Sequence, residues 1–250
     1  MNLTGNTILI TGGGSGIGLG LAQQFHKLGN QVIVAGRRQD VLDSVAAANP
    51  GIKAIVLDTA DPASIASVVK TLTTDYPTLN VLLNNAGIMR PEDLQMGKVA
   101  DAEAIVATNL LGPIRLTAAL VPHLLERPES TILNVSSGLA FVPLAMTPTY
   151  CATKAAIHSY TQSLRYQLQH TTVRVLEIIP PYVATDLMDG ASDPRAMPLD
   201  AFIAETMQIL ATDAEEICVQ NVLRLRNAAA SGNDAAFFKT FNDAMSQNRH

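Results

Sequence analysis

The sequence predicts a doubly wound α/β fold, one parallel sheet flanked by helices, formed by a single domain over residues 1–250. Three observations carry this expectation. Short β-branched runs alternate with longer helix-like stretches. The runs are near-continuously apolar, as strands buried on both faces of a parallel sheet must be. A glycine-rich segment separates the first run from the first helical stretch. Strand–helix alternation of this kind builds βαβ units with right-handed crossovers.

The expected strands are Ile8–Ile10, Gln31–Ala35, Ile52–Leu57, Val81–Leu83, Thr131–Val135 and Val173–Ile179. Between them, Ile17–Leu28, Gln39–Ala48, Pro62–Asp75, Ala100–Glu126 and Tyr150–Gln169 read as helices. Asp61-Pro62 is a helix start, an N-cap acceptor followed by a proline at the first helical position. Pro113 and Pro122 predict a kinked or split fourth helix. Residues 187–210 read as irregular chain, a lid over a site. Glu215–Gln220 reads as a last strand and Asp234–Met245 as a last helix.

Composition excludes several classes. Hydrophobic residues make up 48%, ample for a core, and the formal charge is −5 without a basic block. Nucleic-acid and anionic-membrane binders show the opposite balance, so neither partner is expected. No apolar run reaches the roughly 20 residues of a membrane span. The start, MNLTGNTILI, lacks the features of a signal peptide. Cys151 and Cys218 cannot form a disulfide scaffold. The expectation is a reduced cytoplasmic protein. The histidines His26, His123, His158, His170 and His250 are scattered without metal-ligand spacing, so no metal is expected.

Ile10 ends the first strand, and Thr11-Gly12-Gly13-Gly14-Ser15-Gly16-Ile17-Gly18 leads into a helix. Glycines let backbone N–H groups approach a pyrophosphate, and the helix dipole favours the anion. The alternative is a tight turn that needs glycine for geometry alone. The second strand ends Val34-Ala35-Gly36-Arg37-Arg38. It offers no carboxylate to repel a 2′-phosphate, and two guanidinium groups follow at once, which predicts NADP(H) over NAD(H). The competing reading makes Arg37 and Arg38 a solvated helix start. Asp58 either hydrogen-bonds an adenine or caps the turn into Asp61-Pro62.

Tyr150 and Lys154 lie one turn apart at the start of a predicted helix, on one face. A tyrosine with an ordinary pKa of about 10 is a poor acid–base at neutral pH, and a nearby ammonium favours its phenolate. Upstream, a strand ends Asn134-Val135-Ser136-Ser137, and a serine there faces the ligand crevice of a doubly wound sheet. Ser136 and Asn84 read as strand-closing or turn-capping residues.

With these residues in place, the chain resembles the short-chain dehydrogenase/reductase family, single-domain proteins of the Rossmann type. The resemblance runs from the first strand to about Leu187. It rests on Thr11–Gly18, Asn84-Asn85-Ala86-Gly87, Asn109, Ser137, Tyr150 and Lys154. Within that family it is most similar to the DltE-like oxidoreductases, on Pro180–Leu187 and the C-terminal stretch. The resemblance implies that Tyr150 exchanges a proton with a carbonyl or alcohol oxygen which Ser137 also bonds. Lys154 is implied to hold the nicotinamide ribose and depress the tyrosine pKa, with Asn109 holding a water behind it. Gly12, Ser15, Gly16, Ile17 and Gly18 are implied to form the cofactor cradle. Asn85, Ala86 and Gly87 are implied to line the ribose side, and Val183 and Thr185 to bind the carboxamide. A homodimer or homotetramer is also implied.

The family's usual Pro-Gly after the sixth strand is Pro180-Pro181 here, which stiffens that loop. Leu139, Ala140, Phe141, Val142, Pro143, Leu144, Ala145 and Met146, an uncharged segment, and the lid residues Leu187, Met188, Met197, Leu199, Phe202 and Ile203 suit an apolar ketone or alcohol. Arg90 either holds a substrate carboxylate, or is solvated or pairs with Glu92 or Asp93. Phe237, Phe238 and Phe241 read as core or subunit interface, with contact to substrate as the lesser alternative. The leading function is an NADP(H)-dependent carbonyl reductase or alcohol dehydrogenase. The competing one is an NADP(H)-binding sensor without redox turnover, for which Ser137, Tyr150 and Lys154 would have no use.

Overall fold

A computed structural model describes residues 1–188, 193–228 and 234–246. Positions 189–192 of the expected lid and His250 lie outside the described residues. Seven strands form one parallel sheet: β1 (Thr7–Thr11), β2 (Gln31–Gly36), β3 (Lys53–Val56), β4 (Leu79–Asn84), β5 (Ser130–Val135), β6 (Val173–Ile179) and β7 (Glu216–Cys218). Their order is β3-β2-β1-β4-β5-β6-β7. The chain runs outward from β1 to β3, then returns to place β4 on the other side of β1. That reversal opens a crevice beyond the C-terminal ends of β1 and β4, where such sheets bind ligands.

Alternate residues of each strand feed two cores. Ile8, Ile10, Val32 and Val34 face one layer, built by α1 (Gly16–Lys27), α2 (Gln39–Ala48) and α7 (Leu199–Leu210). Leu9, Ile33, Leu82, Ile132 and Val175 face the other, built by α3 (Pro62–Asp75), α5 (Gly112–Leu125) and α6 (Pro148–Leu168). The Asp61 side chain accepts from Ala63 N at 2.9 Å at the start of α3, as its Asp-Pro pair predicts.

Three expectations need correction, and a fourth holds with a different joint. β3 is largely exposed, because it is the sheet's edge and only one neighbour covers it. The fourth helical stretch is split as foreseen, into α4 (Ala100–Val106) and α5, but a π-helical turn at Ala107–Leu111 joins them. The joined run Ala100–Leu125 is long and apolar enough to cross a membrane by length and composition, contrary to the expectation that no run is. Its Leu116, Leu120 and Leu124 are wholly buried against the sheet. Finally, the expected lid is not irregular throughout: α7 lies inside it. Phe202 and Ile203 are buried in the core, with Ile203 packed where α1 has only Gly20, so these two residues wall no site. Towards the C-terminus the described residues form α8 (Leu223–Arg226) and α9 (Asp234–Ser246).

Candidate active site

The site begins where β1 turns into α1. Gly12 has φ +65°, a left-handed conformation that favours glycine. A Cβ on Gly18 would lie 2.4 Å from the Gly12 carbonyl oxygen, so α1 can start this close to the turn only with glycine. Asn85 braces the turn from β4, its Nδ2 donating to the carbonyls of Thr11 at 3.0 Å and Gly12 at 3.2 Å. The Thr11 hydroxyl accepts from the backbone N–H groups of Asn85 and Ala86, both at 3.0 Å. Ser15 precedes α1 in extended conformation without a side-chain cap bond, and the first turn of α1 carries no acidic residue. The N-terminus of α1 is thus left to an anion.

A cavity of about 170 Å³ opens on this turn, with Gly12, Ser15, Arg37, Arg38, Ala86 and Gly87 among its walls. Arg37 and Arg38 are exposed and make no ion pair among the described residues. Asp58 does not line it; its carboxylate accepts from Ala60 N at 2.9 Å, the turn-capping arrangement, while Leu57 and Thr59 supply the wall.

Gly87 is shared with a second, larger cavity of about 740 Å³. Ile17, Asn85, Val183 and Thr185 line its cradle side, and Ser136, Ser137, Tyr150 and Lys154 supply polar groups to it. Ser137 closes β5 and accepts from Leu139 N at 3.1 Å. Tyr150 and Lys154 project from the first turns of α6, both nearly fully buried. Lys154 Nζ donates to Val135 O at 2.8 Å and sits 5.6 Å from the Tyr150 ring centroid. Burial pushes the Tyr150 phenol above its ordinary value, against a hydrogen bond to Ser137 that favours the phenolate. The expected depression of this phenol by Lys154 therefore does not set its direction; desolvation does. Burial also holds Lys154 down to about 8, opposed by the Glu177 carboxylate.

Asn109 sits on the π-helical turn. Its Oδ1 accepts from Ile88 N and its Nδ2 donates to Ile88 O, each at 2.8 Å, fastening that turn to the segment after β4. Asn84 caps no turn: its Nδ2 donates to Thr117 Oγ1 at 3.0 Å and Asn134 Oδ1 at 2.9 Å. Ser136 Oγ is buried without a partner among the described residues, at the wall of the larger cavity.

Several residues were not foreseen: Met245 of α9 walls the larger cavity, together with Tyr182, Asp193 and Arg195. Phe241, expected in the core or at a subunit interface, lines it too. Of the expected apolar lining, Leu139, Leu144, Met146, Leu187 and Met188 contribute, whereas Ala140, Phe141, Val142, Pro143, Ala145, Met197 and Leu199 do not line it, Met197 being buried in the core and Leu199 packed against it. Arg90 pairs with Asp101, not with Glu92 or Asp93, and Glu92 instead accepts from Thr149 N and Oγ1. Cys151 is buried, its sulfur bonded to Leu144 N at 3.2 Å, and burial raises its thiol pKa. His158, Glu177 and Glu216 offer ligand atoms within 4.8 Å of one another, a grouping that linear spacing did not reveal.

A glycine turn on β1, a braced asparagine after β4 and a Ser137–Tyr150–Lys154 set across one crevice define a family when found together. The family model for short chain dehydrogenase matches residues 6–196. The chain belongs to the short-chain dehydrogenase family. Its members are oxidoreductases acting on CH–OH and C=O groups, and this chain is one by descent. It is 39% identical over 245 residues to the uncharacterized oxidoreductase DltE of Bacillus subtilis (strain 168), covering 95% of this chain and 97% of that one. Among solved structures, it resembles 3-ketoacyl-(acyl-carrier-protein) reductase from Brucella melitensis complexed with NADH. That match has 29% identity and TM-score 0.77, over 85% of this chain and 93% of the other. A short-chain dehydrogenase from Sphingobium yanoikuyae in complex with NADPH matches with 25% identity and TM-score 0.81, over 98% and 96% of the two chains.

The residues fit a nicotinamide dinucleotide. The glycine cradle admits no Cβ at Gly18, the first turn of α1 carries no acid, and a buried hydroxyl at Ser136 lacks a partner among the described residues at the wall of the larger cavity.

Proposed function

We propose that the protein is an NADP(H)-dependent carbonyl reductase or alcohol dehydrogenase for bulky apolar substrates. One observation carries this reading: Ser137, Tyr150 and Lys154 open on a largely apolar cavity that continues through Gly87 to the glycine cradle. A bound nicotinamide nucleotide would supply or accept the hydride. Gly12, Ser15, Gly16, Ile17 and Gly18 would hold its pyrophosphate. Arg37 and Arg38, at the end of β2 and without an ion pair among the described residues, favour a 2′-phosphate. Asn85, Ala86, Gly87, Val183 and Thr185 would orient the nicotinamide half.

Tyr150, with its high pKa, is protonated at neutral pH and so is set to donate to a carbonyl oxygen. Ser137 would bond the same oxygen, and Lys154 would hold the ribose and stabilise charge developing on the phenol oxygen. Met89, Leu139, Leu144, Met146, Phe241 and Met245 surround the place of the substrate's remainder. Thioether and aromatic walls of this kind suit a large, shape-variable apolar group.

The test follows NADPH oxidation with apolar ketones, aldehydes and keto acids. Turnover is expected with bulky apolar ketones, and Tyr150→Phe should lower it at least ~100-fold while NADPH binding persists. Near-normal turnover by that variant would refute the role of Tyr150. Tight NADPH binding without turnover on any substrate would favour the sensor reading.

A further inference from the structure

The wall behind Lys154 carries more charge than the proposed reaction uses. Asn84, Asn134, Glu177 and Glu216 are register partners across β4, β5, β6 and β7. Register partners in parallel strands point to one face of the sheet. Here that face is the one that α5 and α6 cover, and the residues two positions earlier on β4, β5 and β6 are the apolar Leu82, Ile132 and Val175. A polar row therefore crosses an otherwise apolar layer at the strand ends, directly beneath the site. Within it Asn84 Nδ2 donates to Thr117 Oγ1 and Asn134 Oδ1, and Asn134 Nδ2 donates to Thr161 Oγ1 at 2.9 Å, while Asn84 Oδ1 is buried without a partner among the described residues.

Glu177 is different in kind. It is an acid, wholly buried, within a strand that is otherwise apolar apart from Arg174. The His158 Nδ1 lies 2.8 and 3.0 Å from its two oxygens. His158 stands one turn beyond Lys154 on α6, hence on the same face. Lys154 in turn reaches Val135 O, one residue past Asn134, the β5 partner of Glu177. Lys154 and Glu177, buried and of opposite sign, thus both lie between α6 and the sheet, with one turn of α6 separating Lys154 from the histidine that contacts Glu177. A buried ammonium held by one neutral carbonyl is costly unless a counter-charge stands nearby.

We propose that Glu177 is the counter-charge that keeps the Lys154 ammonium protonated at neutral pH, and so acts through Lys154 as a positioning residue for the proton step at Tyr150. This rests on the reading of Lys154 as part of the proton-handling set. The surrounding groups leave the task to Glu177. From α6 come Tyr150, Lys154, His158 and Arg165; Arg165 is engaged by Val175 O at 2.8 Å and lies 3.4 Å from Glu215. From β7 come Glu216 and Cys218, and from α8 comes Arg226. Arg226 holds both Glu216 oxygens, at 2.7 and 3.0 Å, so that acid is already balanced and the place a cation could take beside it is filled. Burial pushes the Cys218 thiol up to about 11, which keeps it neutral. With Glu177 present Lys154 stands at about 8; without it, burial acts unopposed and the hold of Lys154 on its proton weakens further.

Glu177→Gln tests this. The amide keeps the shape and an acceptor for His158 while removing the charge. In lysine-labelled protein, with the Lys154 resonance identified by Lys154→Arg, the Lys154 midpoint should fall by at least about one pH unit, a tenfold weaker proton affinity. The alkaline limb of kcat should move down by the same amount, with activity recovering toward pH 6. Glu177→Asp, which keeps the charge, should restore most of it. An unmoved Lys154 midpoint, with activity lowered equally at every pH, overturns the proposal. A midpoint that falls without any change in turnover supports the charge assignment and instead removes Lys154 from the reaction. If Glu177→Gln does not fold, the unaltered protein decides through its glutamate carboxyl resonances: a carboxylate at Glu177 at pH 7 supports the proposal, and a protonated carboxyl overturns it.

Discussion

Arg37 and Arg38 stand where β2 ends, beside the smaller cavity, and neither has an acidic partner among the described residues. An exposed guanidinium without a partner contributes little to folding, so its removal is expected to act on ligand binding alone. A 2′-phosphate gives such a group charge-assisted hydrogen bonds, each contributing about 1.5–3 kcal/mol. Arg37→Ala should therefore weaken NADPH binding by at least about tenfold, with little change for NADH and an unchanged melting temperature. Calorimetric titration with both nucleotides checks it; equal losses for the two would show that Arg37 meets some other part of the cofactor. The same distinction separates Asp58 from this pair, since its carboxylate is already engaged in a turn.

At the scale of elements, α9 is the part of the site that adjacency in sequence does not disclose. Asn242 fastens it to the segment between β5 and α6: its Oδ1 accepts from Ala145 N at 2.6 Å and its Nδ2 donates to Pro143 O at 3.1 Å. This sets Phe241 and Met245 against the cavity. Phe241→Ala should raise KM for a compact apolar ketone about tenfold, the scale of a lost apolar contact, while leaving kcat nearly intact and admitting bulkier ketones. Steady-state kinetics on a graded substrate series checks it; an equal fall in kcat for all substrates would place Phe241 with the reacting atoms instead. The glycine turn and the pairing of Tyr150 with Lys154 were legible because each lies within one short stretch, where spacing fixes geometry. The sheet was legible because a doubly covered strand must be apolar throughout, and β3 departed from that rule as an edge. α7 was hidden by Pro194 and Pro198, which gave its approach the look of irregular chain. Glu177 and His158 meet only through the packing of α6 on β6, although a lone acid within Val173–Ile179 was a visible signal.

For the whole molecule, the buried Tyr150–Lys154 pair links stability to pH. Folding lowers Lys154 from 10.5 to about 8. Between those values the unfolded chain keeps a proton that the folded chain has released, so the contribution of Lys154 to stability rises with pH across that window. Below about 8 both states are protonated and the full cost of burying the ammonium remains. Tyr150, Cys151 and Cys218 act in the opposite sense. Burial raises all three, so at higher pH the unfolded chain ionises first and stability falls. The net profile of the intact protein mixes these trends, and Lys154→Met separates them, because it deletes one and leaves the others. The unfolding free energy of the intact protein minus that of Lys154→Met should be flat from pH 6 to about 7.5. It should then climb toward pH 10 with a slope approaching, at most, about 1.4 kcal/mol per pH unit. Urea unfolding at half-unit intervals measures this. A difference that stays flat to pH 10 would mean that Lys154 keeps its proton in the folded state, with its counter-charge outweighing burial.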